Sequence, residues 1–180
     1  MNQKFVDTDL YELVMDKTNL TEAGSSDYLK IAIPEKANIA QDTIGRYATG
    51  PKAQSTALIY EDDAGGLTCY TFAELDALAC KFAVSLAGLG VARGEPVAVQ
   101  TGQTPETAIA HMAIYKLGAV VLTLSHLYGH DTVEHILTDS RARILVTDRT
   151  TWDRLATSCD RFETLEHIIM RGPDVLDGEI

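Results

Sequence analysis

Three hydrophobic rhythms follow one another along the chain. Residues 1–33 read as a leader, with a short helix over Asp9–Lys17 and a polar Gly24-Ser25-Ser26 break after it, and they are not expected in the core. Between Asn38 and Ala48 the apolar positions Ile39, Ile44 and Tyr47 suit one short helix, closed by the turn Thr49-Gly50-Pro51. Ala57–Tyr60 and Leu67–Thr71 are short apolar runs separated by acids and by Gly65-Gly66, which predicts a β-hairpin whose turn needs positive φ. A phosphate-cradling role for these glycines is disfavoured, because no helix start follows them.

From Thr71 onward, helical and strand-like segments alternate. Thr71 with Glu74 three residues on forms a capping box, and Leu75, Leu78, Ala79, Phe82, Ala83, Leu86 and Leu89 then recur at helical spacing up to a stop at Gly88–Gly90. Val97–Val99 reads as a strand. Thr104 followed by Pro105 opens a second helix, through a hydroxyl cap and a proline that lacks only an amide left unpaired anyway, and Gly118 closes it. Ala119–Leu124 is a nearly continuous apolar strand, Asp131 with Glu134 caps a third helix, and Ile144–Thr147 and His167–Met170 are further strands. Strands apolar on both faces, alternating with helices, predict an α/β fold: a mostly parallel sheet with helices packed on it through right-handed crossovers, preceded by the hairpin.

Composition narrows the function classes. A chain of 180 residues, 46% hydrophobic and 23% charged, supports one ordinary globular core. Its net charge of -11 repels nucleic acid and anionic membranes. All seven lysines lie at or before Lys116, whereas six of the eight arginines lie after Ser140, where their planar forks suit phosphate groups. The competing reading pairs these arginines on the surface with Asp148, Asp153, Asp160, Glu163 and Glu166. Cys69, Cys80 and Cys159 are odd in number and lack C-x-x-C spacing, so a reducing, cytoplasmic setting fits best. The acidic N-terminus is not a secretory signal, and no stretch of about 18 apolar residues is present to span a membrane.

General catalytic motifs fail one by one. After Val97–Val99 comes Gln100-Thr101-Gly102-Gln103-Thr104, with one glycine where a dinucleotide fold needs G-x-G-x-x-G. A phosphate-loop G-x-x-x-x-G-K-[ST] and a G-x-S-x-G elbow are both missing from the sequence. His126, His130 and His135 invite a metal reading, but His130–His135 is H-x-x-x-E-H, one residue too long for two rings to share a helix face, and no metal is expected. His111 reads as a packed or half-exposed residue of the second helix. The segment Leu124-Ser125-His126-Leu127-Tyr128-Gly129 leaves the carboxyl end of a strand, where parallel sheets collect ligands, and is a candidate binding loop.

The order Thr71-Phe72-Ala73-Glu74-Leu75, Leu89-Gly90-Val91-Ala92-Arg93-Gly94-Glu95-Pro96-Val97-Ala98-Val99, Pro105-Glu106, Lys116-Leu117-Gly118-Ala119-Val120 and Leu137-Thr138-Asp139-Ser140 resembles the N-terminal region of AMP-forming acyl-CoA synthetases, in the acyl-adenylate-forming superfamily. Leu124–Gly129 and Ala37-Asn38-Ile39-Ala40 resemble the branch of acetyl-CoA, medium-chain and aryl acid-CoA ligases more than luciferases or peptide-synthetase domains. Two departures stand out: Glu95 where the family has aspartate, and Thr123 where proline is common.

The resemblance implies a parent enzyme that joins a carboxylic acid to ATP, with magnesium, and passes the acyl group to CoA. Its phosphate loop and C-terminal lysine segment have no counterpart here, so the resemblance implies no catalytic residue and no activity for this chain alone. It implies CoA-side contacts at Ser125, Leu127, Tyr128, Gly129 and Arg154, with Arg149 behind, and the rest of the same polypeptide as partner. Residues 34–171 are then the first part of the ligase domain and 172–180 a linker or cut end. The alternative is a non-catalytic α/β binding module built on that scaffold.

Overall fold

A computed structural model of the chain describes residues 37–156 and 161–171. The expected leader, its helix over Asp9–Lys17 and the segment 172–180 lie outside them. Asn38 caps helix α1 (Ile39–Thr43), its Oδ1 accepting from the Gln41 amide at 3.1 Å. The single helix expected over 38–48 is instead broken at Ile44, and Gly45–Tyr47 continues as a 3-10 turn. Glycine is a weak helix residue, and the Thr43 hydroxyl donates back to Ile39 O, so little holds an α-helix through this point.

Strands β1 (Thr56–Glu61) and β2 (Leu67–Thr71) pair antiparallel as the expected hairpin. Asp62 Oδ1 accepts from the amides of Ala64 and Gly66 at 2.9 and 2.7 Å, and Gly65 takes φ 81°, which a side chain would disfavour. Helix α2 (Phe72–Gly88) starts on the expected capping box: the Glu74 amide donates to Thr71 Oγ1 and the Thr71 amide to Glu74 Oε2. Leu75, Ala79, Ala83 and Leu86 form its buried stripe.

Among the described residues the main sheet has four parallel strands, β3 (Pro96–Gln100), β4 (Val120–Thr123), β5 (Ile144–Asp148) and β6 (His167–Arg171), in the order β4-β3-β5-β6. Helices α3 (Pro105–Lys116), α4 (His130–Ser140) and α5 (Arg149–Leu155) connect them. Side chains of β3 and β5 alternate between two cores. Val97, Val99, Ile144 and Val146 join Leu86, Ala110, Ala113 and Ile114 of α2 and α3. Ala98 and Leu145 join Val133, Leu137 and Leu155 of α4 and α5. From β3 the chain steps to β4 on one flank, then crosses back to β5 on the other, so the connections leave β3 and β5 on opposite faces. That divergence opens a crevice at the carboxyl ends of the strands.

Several local expectations change. Val120 is 50% exposed, because β4 has only β3 as a strand neighbour among the described residues and is not covered on both faces. Thr104 stands at the N-cap of α3, but its hydroxyl makes no cap bond and lies 3.4 Å from Thr107 Oγ1 instead. Helix α4 starts two residues early, at His130 behind Gly129, so Asp131 is already helical and pairs with Arg161 at 2.9 Å rather than capping. Glu95, at the turn before β3, accepts through Oε2 from the Ala92 amide at 2.8 Å, and its carboxylate meets Arg143. Among the described residues no helix is long and apolar enough to cross a membrane.

Candidate functional site

The carboxyl ends of β3, β4 and β5 carry polar residues just where their apolar runs finish. Gln100 ends β3 fully buried, and its Nε2 donates to Ser125 O at 3.0 Å and Tyr128 O at 3.4 Å. Thr147 of β5, also buried, donates through Oγ1 to Gln100 O at 2.9 Å. Asp148 caps α5 by accepting from the Thr151 amide at 2.8 Å, and its second oxygen accepts from the Gly102 amide at 3.2 Å, joining the turns after β3 and β5. Burial works against the charged form of Asp148, but these donors and the positive charge of Arg171 outweigh it and hold its pKa below the usual value.

The loop after β4 lies over this floor. The Tyr128 amide donates to Ser125 O at 3.0 Å and the Leu127 amide to Ser125 Oγ at 3.2 Å, which folds Ser125–Tyr128 into a turn. Leu127 and Tyr128 are exposed, at 73% and 41%, and Gly129 stands at the N-cap of α4. Arg154, on α5, donates from Nη2 to His126 O. The structure therefore brings Ser125, Leu127, Tyr128, Gly129 and Arg154 together at one strand-end loop. Arg149 does not join them; it faces Asp153 at 3.8 Å.

Most of the late arginines are paired with acids: Arg143 with Glu95 and Glu166, Arg161 with Asp131 and Glu134, Arg171 with Glu106. Arg154 differs in turning to a backbone carbonyl. One guanidinium carries five N–H donors, so that contact leaves others for a ligand.

A cleft of about 760 Å³ runs from this loop along α3 to the hairpin, lined by Thr101, Thr104, Thr107, His111, Thr123 and Ser125 together with Leu58 and Tyr60. His111 is half-buried, as expected; burial lowers its pKa, and its Nε2 lies 3.4 Å from Thr123 Oγ1. Among the described residues no group of three His, Cys, Asp or Glu side chains converges as a metal site.

A family model described as AMP-binding enzyme matches residues 46–178. The chain belongs to the AMP-binding enzyme family. Within that family, acetyl-coenzyme A synthetase from Cronobacter sakazakii is 32% identical over 111 residues, covering 61% of this chain and 17% of the relative. The same enzyme from Pasteurella multocida is 30% identical over 110 residues, with the same coverage. The chain thus spans about a sixth of the length of these curated relatives. Among solved structures, the anthranilate CoA ligase AuaEII in complex with anthranoyl-AMP superposes with a TM-score of 0.70 at 30% identity, over 78% of this chain and 26% of that one. An acyl-CoA synthetase from Brucella canis matches in fold, with a TM-score of 0.69 at 23% identity, over 77% of this chain and 24% of that one. The α/β architecture of this AMP-binding family member, hairpin then parallel sheet, is the one expected from its sequence.

Proposed function

We propose that this chain is the N-terminal portion of an ATP-dependent acid-CoA ligase and supplies one wall of its CoA-binding cleft. The reading rests on one observation above the others: Arg154 reaches from α5 to the Ser125–Gly129 loop at the strand-end crevice. Its guanidinium, with the start of α4 beside the loop, offers the kind of donors that a phosphate group needs. Relatives named as acetyl-CoA synthetases and an anthranilate CoA ligase support CoA as the ligand and a small carboxylic acid as the parent's substrate. The groups that would hold ATP and magnesium do not fit residues present here, since the sequence contains no Ser/Thr/Gly-rich loop followed by lysine. The chain alone is then a non-catalytic piece that works with the rest of its polypeptide, in the cytoplasm, with residues 34–171 forming the ligase-domain part.

Titration calorimetry of the chain with CoA tests the wall. Binding is expected, and Arg154→Ala weakens it about tenfold, or ~1.4 kcal/mol. No binding by the wild type, or equal binding by Arg154→Ala, overturns the CoA assignment. With acetate or benzoate, ATP, magnesium and CoA, the chain is expected to release no pyrophosphate; steady release overturns the non-catalytic part of the reading.

A further inference from the structure

Gln100 closes the apolar strand β3 with a polar side chain at a buried position. Its environment shows what the amide is for. The side chain is fully buried. Nε2 has two hydrogens, and they meet Ser125 O at 3.0 Å and Tyr128 O at 3.4 Å, the first and last residues of the loop turn. Oε1 is buried and finds no donor among the described residues. Turning the amide over would set Oε1 against two carbonyl oxygens, so the loop itself fixes the orientation. A buried polar group that spends both donors on one loop while its acceptor stays unsatisfied is costly to keep for packing alone.

We propose that Gln100 is a positioning residue, an internal clamp that sets the shape of the Ser125–Gly129 loop from beneath. With the Ser125 and Tyr128 carbonyls drawn down to Gln100 and the His126 carbonyl drawn to Arg154, three loop carbonyls are committed to the protein. The side chains of His126, Leu127 and Tyr128 stay exposed on the outer side of the loop. The effect of the clamp on CoA rests on the function proposed above; its effect on the loop does not.

Two variants of the full chain separate these. Gln100→Met keeps the length of the side chain and removes both donors; Gln100→Glu replaces them with a carboxyl that burial drives toward its protonated form, which restores one donor. Hydrogen exchange followed by mass spectrometry is the primary readout. In Gln100→Met, amides 126–129 are expected to exchange at least about tenfold faster while α2 is unchanged, and CoA affinity falls. In Gln100→Glu, exchange and affinity at pH 7.5 resemble Gln100→Met and move back toward wild type at pH 5.5. The titratable groups on the surrounding elements, Asp148, Arg154, His126 and His130, are shared with the wild type measured at each pH.

Unchanged loop exchange in Gln100→Met overturns the clamp even if CoA binds. Faster loop exchange in a protein whose wild type ignores CoA supports the clamp and overturns the CoA assignment. If Gln100→Glu fails to fold, Gln100→Met still decides, because it buries no charge. A pH response of Gln100→Glu identical to that of the wild type counts against the clamp.

Discussion

Asp148 joins two turns that lie far apart in sequence, and its ionisation follows from that task. The amides of Thr151 and Gly102 donate to its two oxygens and hold its pKa below the unfolded carboxylate value of about 3.9 despite burial. A folded pKa below the unfolded one means the stabilisation is complete above the unfolded value and is lost as pH falls through the folded value. Asp148→Ala is therefore expected to lower stability by ~1–2 kcal/mol at pH 7, in line with a lost helix cap. Urea midpoints of the two proteins should draw together below about pH 4; a constant difference down to pH 2 would show that the carboxylate is not the stabilising form. Lys116 is the contrasting case: burial pulls its pKa down, but Asp76 at 2.6 Å and the Cys80 thiol raise it overall, so it remains charged and pinned to α2.

Among the elements, α2 has the most determined boundaries. Thr71→Ala removes half of its capping box and is expected to cost about 1 kcal/mol. Leu86→Ala empties a fully buried site shared with β3 and α3 and is expected to cost ~2–5 kcal/mol. Thermal or urea unfolding checks both, and the order of the two losses matters more than their size. This helix was also the most legible in the sequence, because cap, periodicity and glycine stop agree over 17 residues. Helix α5 was not foreseen. Its sequence RTTWDRL has only Trp152 and Leu155 to mark an apolar face, and its start depends on Asp148, which ends a strand as it begins a helix. The candidate loop could be placed from the rule that parallel sheets bind at strand ends, whereas Arg154 came only from family resemblance. Gln100 carried a faint signal, a polar residue closing the run Val97-Ala98-Val99, but its bonds reach 25 and 28 residues away and no local pattern encodes them.

For the molecule as a whole, charge and uncovered apolar surface pull in opposite directions. A second groove, of about 620 Å³, is lined by Leu78, Phe82, Ile109, Val146, Ile169 and Met170. Val120 and Ile168 are exposed on the outer strands β4 and β6. A net charge of -11 keeps copies apart at low ionic strength, and salt screens that repulsion within about 10 Å at 0.1 M. Self-association measured by light scattering is accordingly expected to rise with salt and with protein concentration, and Ile168→Lys to reduce it. Association that falls with added salt would instead point to ion pairing between copies.

The strand order also has a meaning in time. Synthesis delivers β3 first, and every later strand then docks on a free edge: β4 on one flank of β3, β5 on the other, β6 outside β5. No strand has to be threaded between two that are already in place. A chain leaving the ribosome amino end first can thus grow this sheet outward from β3, each newcomer pairing along an edge that is still free.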